Sequence, residues 1–412
     1  MQRYTPKQRS IVLAWLPKTT PDTIAILESW ISKRSYSVPR RFTNWFLSKH
    51  EKKFEETIPA WLRRADINEH QSVLGLMNIS ETFTGSATGQ NYTTVDGRRI
   101  ELARLGHRLG IGYTQGHRSG GIRPLVVLER EDSAIAESLK KLAGAKNRFE
   151  IIYTGSAHTR PIDGQAEIPP EIDPAIWLPG KPVAHRDGSA GSLTAFVEFR
   201  EGEATVRGFI GASHVLTNMG RGEKGDSIFS PCPPFADRDV RFAIGKLSGA
   251  EQLVHYSRQG DPLRVPHNTD IARVTLNDPG LSLSNIVPIT KDRQKKVRIK
   301  TVVDEDLLVD HTHSTVYKIG VGSGLTVGTL IGVDIRTFVL KMLDARNYLL
   351  ADLMLIESKE PGQRAFSTRG DSGALIYDGK GRGLGVVVGG QGRYTFAVPL
   401  DRCLKRMEAE LI

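Results

Sequence analysis

The chain has 412 residues, of which 39% are hydrophobic and 25% are charged. This composition is typical of a globular protein and excludes a disordered chain, and the length allows two or three domains. The two cysteines, Cys232 and Cys403, cannot form a multi-bridge framework, so we expect reduced thiols. No segment has the length of a membrane span, and the start has no signal-peptide core, so we expect a soluble, cytoplasmic protein.

The positive charge is concentrated near the N-terminus. The formal net charge is +10, and residues 1–64 hold 13 Lys/Arg against 5 Asp/Glu, a net charge of +8. Apolar residues recur at helical spacing over 20–68, so we interpret residues 1–65 as a basic helical module. This module would suit an anionic partner: nucleic acid, an acidic regulatory protein or a membrane surface. A solvated helical surface explains the same charge and is the commoner arrangement.

Residues 66–160 have the pattern of a small α/β region. Apolar runs at 105–113 and 122–129, joined by a glycine-rich segment, predict a β-hairpin. Residues 132–142 have inward-facing apolar positions after a capping residue and predict a helix. Residues 149–153 predict one further strand.

The second half of the chain has a different pattern. Residues 161–185 are rich in proline and acidic residues and are interpreted as a linker. Short strands with glycine-rich turns then continue to about residue 400, which is typical of barrels rather than βαβ units. We expect a first barrel over roughly 188–285 and a second over roughly 295–400. The predicted fold class is therefore mainly β, with a two-barrel domain over 186–412 preceded by the helical and α/β regions.

The most informative motif is Gly370-Asp371-Ser372-Gly373-Ala374, a serine flanked by glycines. Glycines allow the sharp turn that exposes the serine side chain. The backbone N–H groups of Gly370 and Ser372 are then free to point at one spot. An exposed nucleophile beside two such donors is what acyl transfer requires. Taken alone, the pentapeptide could equally be an ordinary strand turn.

A serine nucleophile needs a base, and the base needs a group that orients it. His214 follows a largely apolar strand at 206–213, where one face of its ring could lie in a cleft. Asp270 opens an apolar run at 271–274. Seen separately, these would be a core histidine and a turn aspartate. His267 is a poor alternative base, because it would have to share a short loop with Asp270.

In the order His214, Asp270, Ser372, these residues resemble the triad of the chymotrypsin-like serine proteases, and in particular a bacterial, disulfide-free intracellular branch of that family. The separations of 56 and 102 residues are close to what two consecutive barrels require. Further similar segments are the glycine-rich 316–328, the strand 385–390 that would hold substrate backbone, the closing strand 396–399 and a C-terminal helix over 401–412.

The resemblance implies a two-barrel serine endopeptidase that cleaves protein or peptide substrates through an acyl-enzyme. Ser372 would attack the carbonyl carbon, and His214 would accept its proton and return it to the leaving amine. Asp270 would fix the tautomer of the imidazole. The N–H groups of Gly370 and Ser372 would form the oxyanion hole.

The same resemblance assigns a substrate-binding set, Phe366, Val388, Gly389 and Gly390. Phe366 stands at the position that often forms the floor of the specificity pocket, where an aromatic ring favours a shallow or apolar pocket. Val388 replaces a serine that often supports the catalytic aspartate. This change removes a hydrogen bond, and we do not expect it to abolish activity.

A further departure concerns Asp371, which in activated relatives receives a newly cleaved apolar N-terminus. No matching cleavage site precedes the barrels, so either Asp371 pairs with another cation or the enzyme is switched differently. Val215 also stands where the family has a cysteine after its histidine.

Neither a metal nor a cofactor is predicted. His311 and His313 would share one strand face with Asp310 nearby, but no third ligand accompanies them. Two other functions stay open at this stage: a catalytically inactive or latent protease-like binding module, and a protease gated by nucleic acid bound to residues 1–65.

Overall fold

The computed structural model describes most of the chain from residue 176 onward and a few strands before it. The described residues are 92–93, 99–100, 109–115, 122–128, 150–155, 176–231, 242–255, 268–336, 339–342, 344, 346–350 and 352–412. The helical module predicted at 1–65, the helix predicted at 132–142 and Cys232 lie outside the described residues.

Five strands lie in the N-terminal part of the described chain: β1 Tyr92–Thr93, β2 Arg99–Ile100, β3 Leu109–Gln115, β4 Ile122–Leu128 and β5 Glu150–Tyr153. Strands β3 and β4 pair in antiparallel register, and β5 lies parallel to β4. The hairpin and the additional strand that the sequence predicts are therefore confirmed.

The next set of elements builds the first barrel. Its elements are β6 Ile176–Trp177, β7 Pro182–His185, β8 Gly191–Ser192, β9 Ala195–Glu201, β10 Ala204–Ala212, helix α1 Ser213–Leu216, β11 Ser227–Ser230, β12 Phe242–Ala250, β13 Ile271–Leu276 and β14 Ser282–Leu283. Strands β6 and β7 begin inside the predicted linker. Strand β7 pairs with β11 of the first sheet, whereas β6 pairs with β14 in a separate two-stranded sheet.

The remaining elements build the second barrel and the C-terminus. They are β15 Ile286–Pro288, β16 Lys296–Arg298, β17 Thr301–Val302, a 3-10 helix at Glu305–His311, β18 Thr315–Gly320, β19 Gly324–Arg336, β20 Val339–Lys341, β21 Asn347–Leu349, β22 Leu353–Ser358, a 3-10 turn at Pro361–Gln363, β23 Leu375–Tyr377, β24 Arg382–Gln391, β25 Tyr394–Pro399, helix α2 Leu400–Met407 and β26 Ala409–Leu411.

Two curved sheets carry the fold. Strands β18, β23, β24, β25, β22 and β19 pair in that order, and β19 pairs back with β18, so six strands form a closed barrel. The first sheet has the order β26-β9-β10-β13-β12-β11-β7-β8 and stays open among the described residues. The prediction of a mainly β, two-barrel fold is confirmed, with a first barrel that is a half-barrel.

Alternation along the strands distributes the apolar residues among separate cores. On β9, Phe196 packs inside the first barrel, whereas Val197 faces the larger cluster shared with the second sheet. The interior of the closed barrel takes buried residues from all six of its strands. The shared cluster also contains Leu125 of β4 and Cys403 of α2, a free buried thiol.

The C-terminus differs from the prediction of a helix over 401–412. Helix α2 ends at Met407, because Glu408 adopts a left-handed conformation with φ 49° that terminates the helix. Strand β26 follows and pairs with β9 of the first sheet. The chain therefore returns from the second barrel to the first. Within the described part of the chain, no helix combines the length and apolar character needed to cross a membrane.

The N-terminal strands contribute to the apolar cluster shared by the two sheets, which predicts a measurable effect of truncating Leu125. Its side chain is fully buried and contacts the region of Gly332. We expect Leu125→Ala to lower the free energy of unfolding by about 2–5 kcal/mol, measured by urea denaturation. The control Leu307→Ala, at a side chain 46% exposed, should change it by about 0.5 kcal/mol or less. A loss at Leu125 no larger than the control would mean that these strands do not share the core.

Candidate active site

The pairing of β10 with β13 brings His214 and Asp270 together. Ala212, the last residue of β10, lies opposite Ile271, the first residue of β13. The residues just beyond these ends therefore meet, although 56 positions separate His214 from Asp270. The Ser213 N–H donates to the Asp270 carbonyl oxygen at 3.1 Å and fixes the start of α1.

His214 and Asp270 form two hydrogen bonds in a fully buried pair. The backbone N–H of His214 donates to Asp270 Oδ1 at 2.8 Å, and His214 Nδ1 lies 2.6 Å from Asp270 Oδ2. Both side chains are 0% exposed. A carboxylate at Nδ1 stabilises the tautomer with the proton on that nitrogen, which leaves Nε2 as the basic atom.

The basic nitrogen of His214, Nε2, is buried and has no hydrogen-bond partner among the described residues. It therefore makes no hydrogen bond to Ser372 Oγ in this structure. Hydrogen bonds of this kind are often long or misaligned in unliganded sites and shorten when substrate binds.

The loop that carries Ser372 packs against the end of the strand that precedes His214 and is hydrogen-bonded to Ser192 and Thr194. An ideal Cβ at Gly373 would lie 2.3 Å from the Ser192 carbonyl oxygen and 3.2 Å from the Ala212 nitrogen, so only glycine permits this approach. The Ser192 N–H donates to the Ser372 carbonyl oxygen at 2.7 Å, and Thr194 Oγ1 donates to the Gly373 carbonyl oxygen at 2.5 Å. Gly373 thus lies close to Ala212, the last residue of β10, which precedes His214 by two positions.

The glycines at both sides of the serine have the backbone conformation that the motif predicts. Gly370 has φ 91° and Gly373 has φ 85°, a region that favours glycine. Ser192 Oγ donates to the Gly370 carbonyl oxygen at 2.9 Å. Among the hydrogen bonds of the described residues, neither Gly370 N–H nor Ser372 N–H is a donor. These two groups are therefore free to bind an oxygen of a ligand.

Asp371 is held by a buried lysine rather than by a chain terminus. Lys318 Nζ lies 2.9 Å from Asp371 Oδ2, and both side chains are 0% exposed. Ser323 Oγ donates to Asp371 Oδ2 and accepts from Lys318 Nζ, each at 2.6 Å. The N–H groups of Gly322 and Thr368 also donate to the carboxylate, at 2.9 and 2.8 Å. Of the two arrangements left open by the sequence, pairing of Asp371 with another cation is the one observed.

Burial and the neighbouring carboxylate act in opposite directions on the pKa of Lys318. Removal from water lowers the pKa of Lys318, and the carboxylate of Asp371 raises it again by charge attraction and hydrogen bonding. A buried lysine without a partner would lose its proton, so the carboxylate and the ammonium group depend on each other. The ion pair thereby fixes the position of the Asp371 side chain, which lies between Gly370 and Ser372 in the serine loop.

Glycines in the segment 320–324 make room for this carboxylate. An ideal Cβ at Gly320 would lie 2.4 Å from Asp371 Oδ1, and one at Gly322 would lie 2.0 Å from the Arg369 carbonyl oxygen. This explains why the glycine-rich segment follows Lys318 so closely. The segment shapes the back of the serine loop.

The four predicted substrate-binding residues lie in two settings. Phe366 is fully buried in the interior of the closed barrel, and an ideal Cβ at Gly328 would lie 2.8 Å from its ring. Val388 is also fully buried. Gly389 and Gly390 pair with β25 on one side.

The other edge of β24 is paired up to Val387. Its N–H donates to the Ala374 carbonyl oxygen at 3.0 Å, and its carbonyl oxygen accepts from the Gly373 N–H at 2.8 Å. Beyond Val387 this edge makes no backbone hydrogen bond within the described residues. A strand edge of three residues, Val388 to Gly390, therefore begins next to the serine loop.

The histidines considered for a metal have packing roles. His313 Nε2 donates to the Gln115 carbonyl oxygen at 2.7 Å and lies 3.2 Å from Thr114 Oγ1, so it joins β3 to the second barrel. Burial lowers the pKa of His311. No cluster of three or more His, Cys, Asp or Glu side chains suited to a metal occurs in the part of the chain that the structure covers.

Sequence reasoning missed Lys318, Ser323 and Ser192 as residues of the site. The sequence does contain a signal for Lys318. It lies two residues after Val316 on the same strand, and side chains two residues apart on a strand point to the same face, which here is the buried one. A lysine at such a position needs a buried acid. No comparable pattern marks the two serines, since their role depends on how the two sheets meet.

Comparison with known proteins gives structural matches only. No family model matches the sequence, and no curated protein matches it either. Thermobifida fusca protease A is 18% identical with a TM-score of 0.38, covering 58% of this chain and 99% of that one. Nocardiopsis protease is 16% identical with a TM-score of 0.37, covering 57% and 99%, and Cellulomonas bogoriensis chymotrypsin is 17% identical with a TM-score of 0.35, covering 57% and 98%. These values are too low to carry substrate or mechanism over to this chain.

The buried ion pair predicts a strong energetic coupling between its two members. Lys318→Met leaves the carboxylate of Asp371 buried without a cation, and we expect the free energy of unfolding to fall by about 3–5 kcal/mol. In the double variant Lys318→Met/Asp371→Asn, both charges are gone and part of this loss should be recovered. The measurement is urea unfolding of the two single variants and the double variant.

A surface pair provides the control for this cycle. Lys224 pairs with Glu201 at 3.4 Å, and the two side chains are 70% and 35% exposed, so Lys224→Met should cost about 1 kcal/mol or less. Equal losses for Lys224→Met and Lys318→Met, or additive effects in the cycle, would contradict the coupling.

Proposed function

We propose that this chain is a serine endopeptidase that cleaves protein or peptide substrates through an acyl-enzyme formed on Ser372. The observation that carries the proposal is the buried His214–Asp270 pair, whose Nε2 has no hydrogen-bond partner among the described residues. The serine loop packs against Ala212, two residues before His214. A neutral imidazole with its second nitrogen bound to a carboxylate is the form that can accept a hydroxyl proton.

In the proposed mechanism, Ser372 Oγ attacks the carbonyl carbon of the substrate while His214 Nε2 accepts the hydroxyl proton. The imidazolium that forms is stabilised by Asp270, which stays ionised. His214 then gives the proton to the leaving amine, and the C–N bond breaks to give the acyl-enzyme. Water repeats the attack with His214 again as the base, and Ser372 is released.

The negative charge of each tetrahedral intermediate needs donors that are already in position. The unpaired N–H groups of Gly370 and Ser372 support an oxyanion hole here, and donors of this kind contribute about 2.7–4 kcal/mol each in known cases. The ion pair between Lys318 and Asp371 holds the residue between these two donors. We therefore propose that the oxyanion hole is present without pairing of Asp371 to a newly cleaved N-terminus.

The unpaired edge of β24 supports the way in which substrate would bind. An extended peptide can add to such an edge as an antiparallel strand, with its backbone held by hydrogen bonds. Val388, Gly389 and Gly390 would form this contact, next to Ser372. The absence of side chains at the two glycines leaves space for the substrate backbone.

The alternative of an inactive protease-like module has one observation in its favour, the absence of a hydrogen bond between Ser372 and His214 in the described residues. The paired histidine and aspartate favour the enzyme instead, since a decayed site has no need to keep them. Binding of nucleic acid or of a regulatory protein by residues 1–65 stays a prediction from the charge of that module.

Removal of triad residues tests the enzyme directly. We expect a fluorophosphonate probe to label the wild type and to leave Ser372→Ala unlabelled, because the hydroxyl oxygen is the atom that forms the bond to phosphorus. Asp270→Asn should lower kcat for peptide cleavage by about 10⁴-fold, because it favours the wrong tautomer of His214.

The chain offers a matched control for the aspartate variant. Asp226 lies 3.0 Å from His185 Nε2 in a second histidine–aspartate pair outside the site. Asp226→Asn should leave kcat nearly unchanged. Labelling that persists in Ser372→Ala, or equal losses in the two aspartate variants, would reject the assigned triad.

Activation without processing gives a separate prediction. Because Lys318 already occupies the site next to Asp371, the intact 412-residue chain should react with the fluorophosphonate probe. Intact-mass spectrometry should find the probe on full-length protein. If the probe appears only on fragments that have lost N-terminal residues, the lysine does not replace a cleaved terminus.

A further inference from the structure

Strands β3 to β5 are continuous with the second barrel. Strand β19 pairs with β18 over residues 324–329 and then continues past the barrel, where Val333 lies opposite Tyr113 of β3. The sheet therefore extends from β19 through β3 and β4 to β5, which is its last strand among the described residues. The α/β region is attached to the proposed protease by backbone pairing.

The end of β5 reaches the tip of the β24–β25 hairpin. An ideal Cβ at Gly155 would lie 2.9 Å from Gln391 Cγ. Gln391 is the last residue of β24 and pairs with Tyr394, the first residue of β25. Gly155 has φ 75°, a conformation that favours glycine, and a Cβ at this position would displace the Gln391 side chain.

Strand β5 and the hairpin also share one apolar cluster. Ile152 and Tyr394 both pack against the cluster between the two sheets. Burial and the carboxylate of Glu357 raise the pKa of Tyr394, Arg393 lowers it, and Glu150 adds a smaller rise. Strand β5 thus lies beside the hairpin whose inner part is the proposed substrate strand.

The direction of a bound substrate relates this contact to specificity. A bound peptide would pair antiparallel with β24, with its cleaved bond at Ser372. Its residues from the cleaved bond towards its N-terminus would then lie, in order, opposite the residues of β24 from Val388 to Gln391. Each substrate residue lies opposite about one residue of the strand. If the residue before the cleaved bond lies opposite Val388, Gln391 lies opposite the substrate residue about three positions further upstream. Strand β5 lies at this upstream end.

We propose that β5 and Gly155 form the outer wall of the substrate cleft, so that the N-terminal region of this chain selects the upstream residues of the peptide. This inference rests on the proposed endopeptidase. Gly155 is a positioning residue, because it sets where the end of β24 lies. Glu150 is a specificity-determining residue at the other end of the wall.

The charge of the wall defines the preferred substrate. Glu357 is paired with Arg393 at 3.4 Å, whereas Glu150 makes no ion pair within the described residues. Among the described residues, Glu150 therefore gives this wall a negative charge that no ion pair compensates. A peptide with lysine or arginine upstream would complement it, and one with aspartate or glutamate there would be repelled.

The test compares two substrates of the full-length protein. One is a quenched-fluorescent peptide chosen from sequences that the wild type cleaves in a proteome-derived peptide library. The other is its truncated form without the upstream residues. Active enzyme is counted by fluorophosphonate titration, so that loss of folded protein does not enter the rates.

Gly155→Ala should lower the ratio of kcat/KM for the long peptide to that for the short one by about tenfold, the equivalent of about 1.4 kcal/mol. The matched control is Gly202→Ala. Gly202 has a similar φ of 65° but no atom within 4 Å of its ideal Cβ, so it introduces the same backbone strain without the contact. Its ratio should equal that of the wild type.

Glu150→Gln should reduce the preference for lysine or arginine over glutamate at the upstream end of the peptide. The measurement uses peptides that differ only in the residue expected opposite Gln391. An unchanged preference together with an unchanged length ratio for Gly155→Ala would overturn the proposed wall and leave the endopeptidase intact. A wild type that neither cleaves any library peptide nor reacts with the fluorophosphonate would instead reject the proposed endopeptidase, and the wall with it.

Discussion

The buried ion pair between Lys318 and Asp371 is the interaction on which the geometry of the serine loop depends. Taking two charges out of water is costly, and their attraction offsets that cost only when the remaining donors and acceptors are satisfied. Here Ser323 Oγ makes hydrogen bonds to both groups, and backbone N–H groups donate further hydrogen bonds to the carboxylate. Because Asp371 lies between Gly370 and Ser372, a fixed carboxylate fixes the two free N–H groups on either side.

The contact between the two sheets supplies the second constraint. His214 and Asp270 lie beyond the ends of two paired strands of the first sheet, whereas Ser372 comes from a loop of the second. Ser192 and Thr194 join these parts through hydrogen bonds to the serine loop. The largest apolar cluster contains residues of both sheets and of the N-terminal strands, so the position of the site depends on the whole described fold.

Residue patterns were sufficient to predict the two-barrel fold, the hairpin of β3 and β4, and the elements that carry His214, Asp270 and Ser372, because strand periodicity and glycine positions are local signals. The pairing of Asp371 with Lys318 required the approach of segments 53 residues apart, which no local pattern specifies. The C-terminal helix was predicted too long because the left-handed turn at Glu408 has no glycine to mark it. The pairing of β3 with β19 was also missed, since no local sequence pattern specifies which distant strand pairs with a sheet edge.

A crystal structure of the full-length protein after reaction with a fluorophosphonate is the most direct test of the central claim, that an internal lysine keeps the serine loop ready for reaction. We predict the probe on Ser372 Oγ, its phosphonyl oxygen within hydrogen-bond distance of the Gly370 and Ser372 N–H groups, and Asp371 still paired with Lys318. A structure in which Asp371 binds a different cation, or in which these N–H groups point away from the phosphonyl oxygen, would contradict the claim.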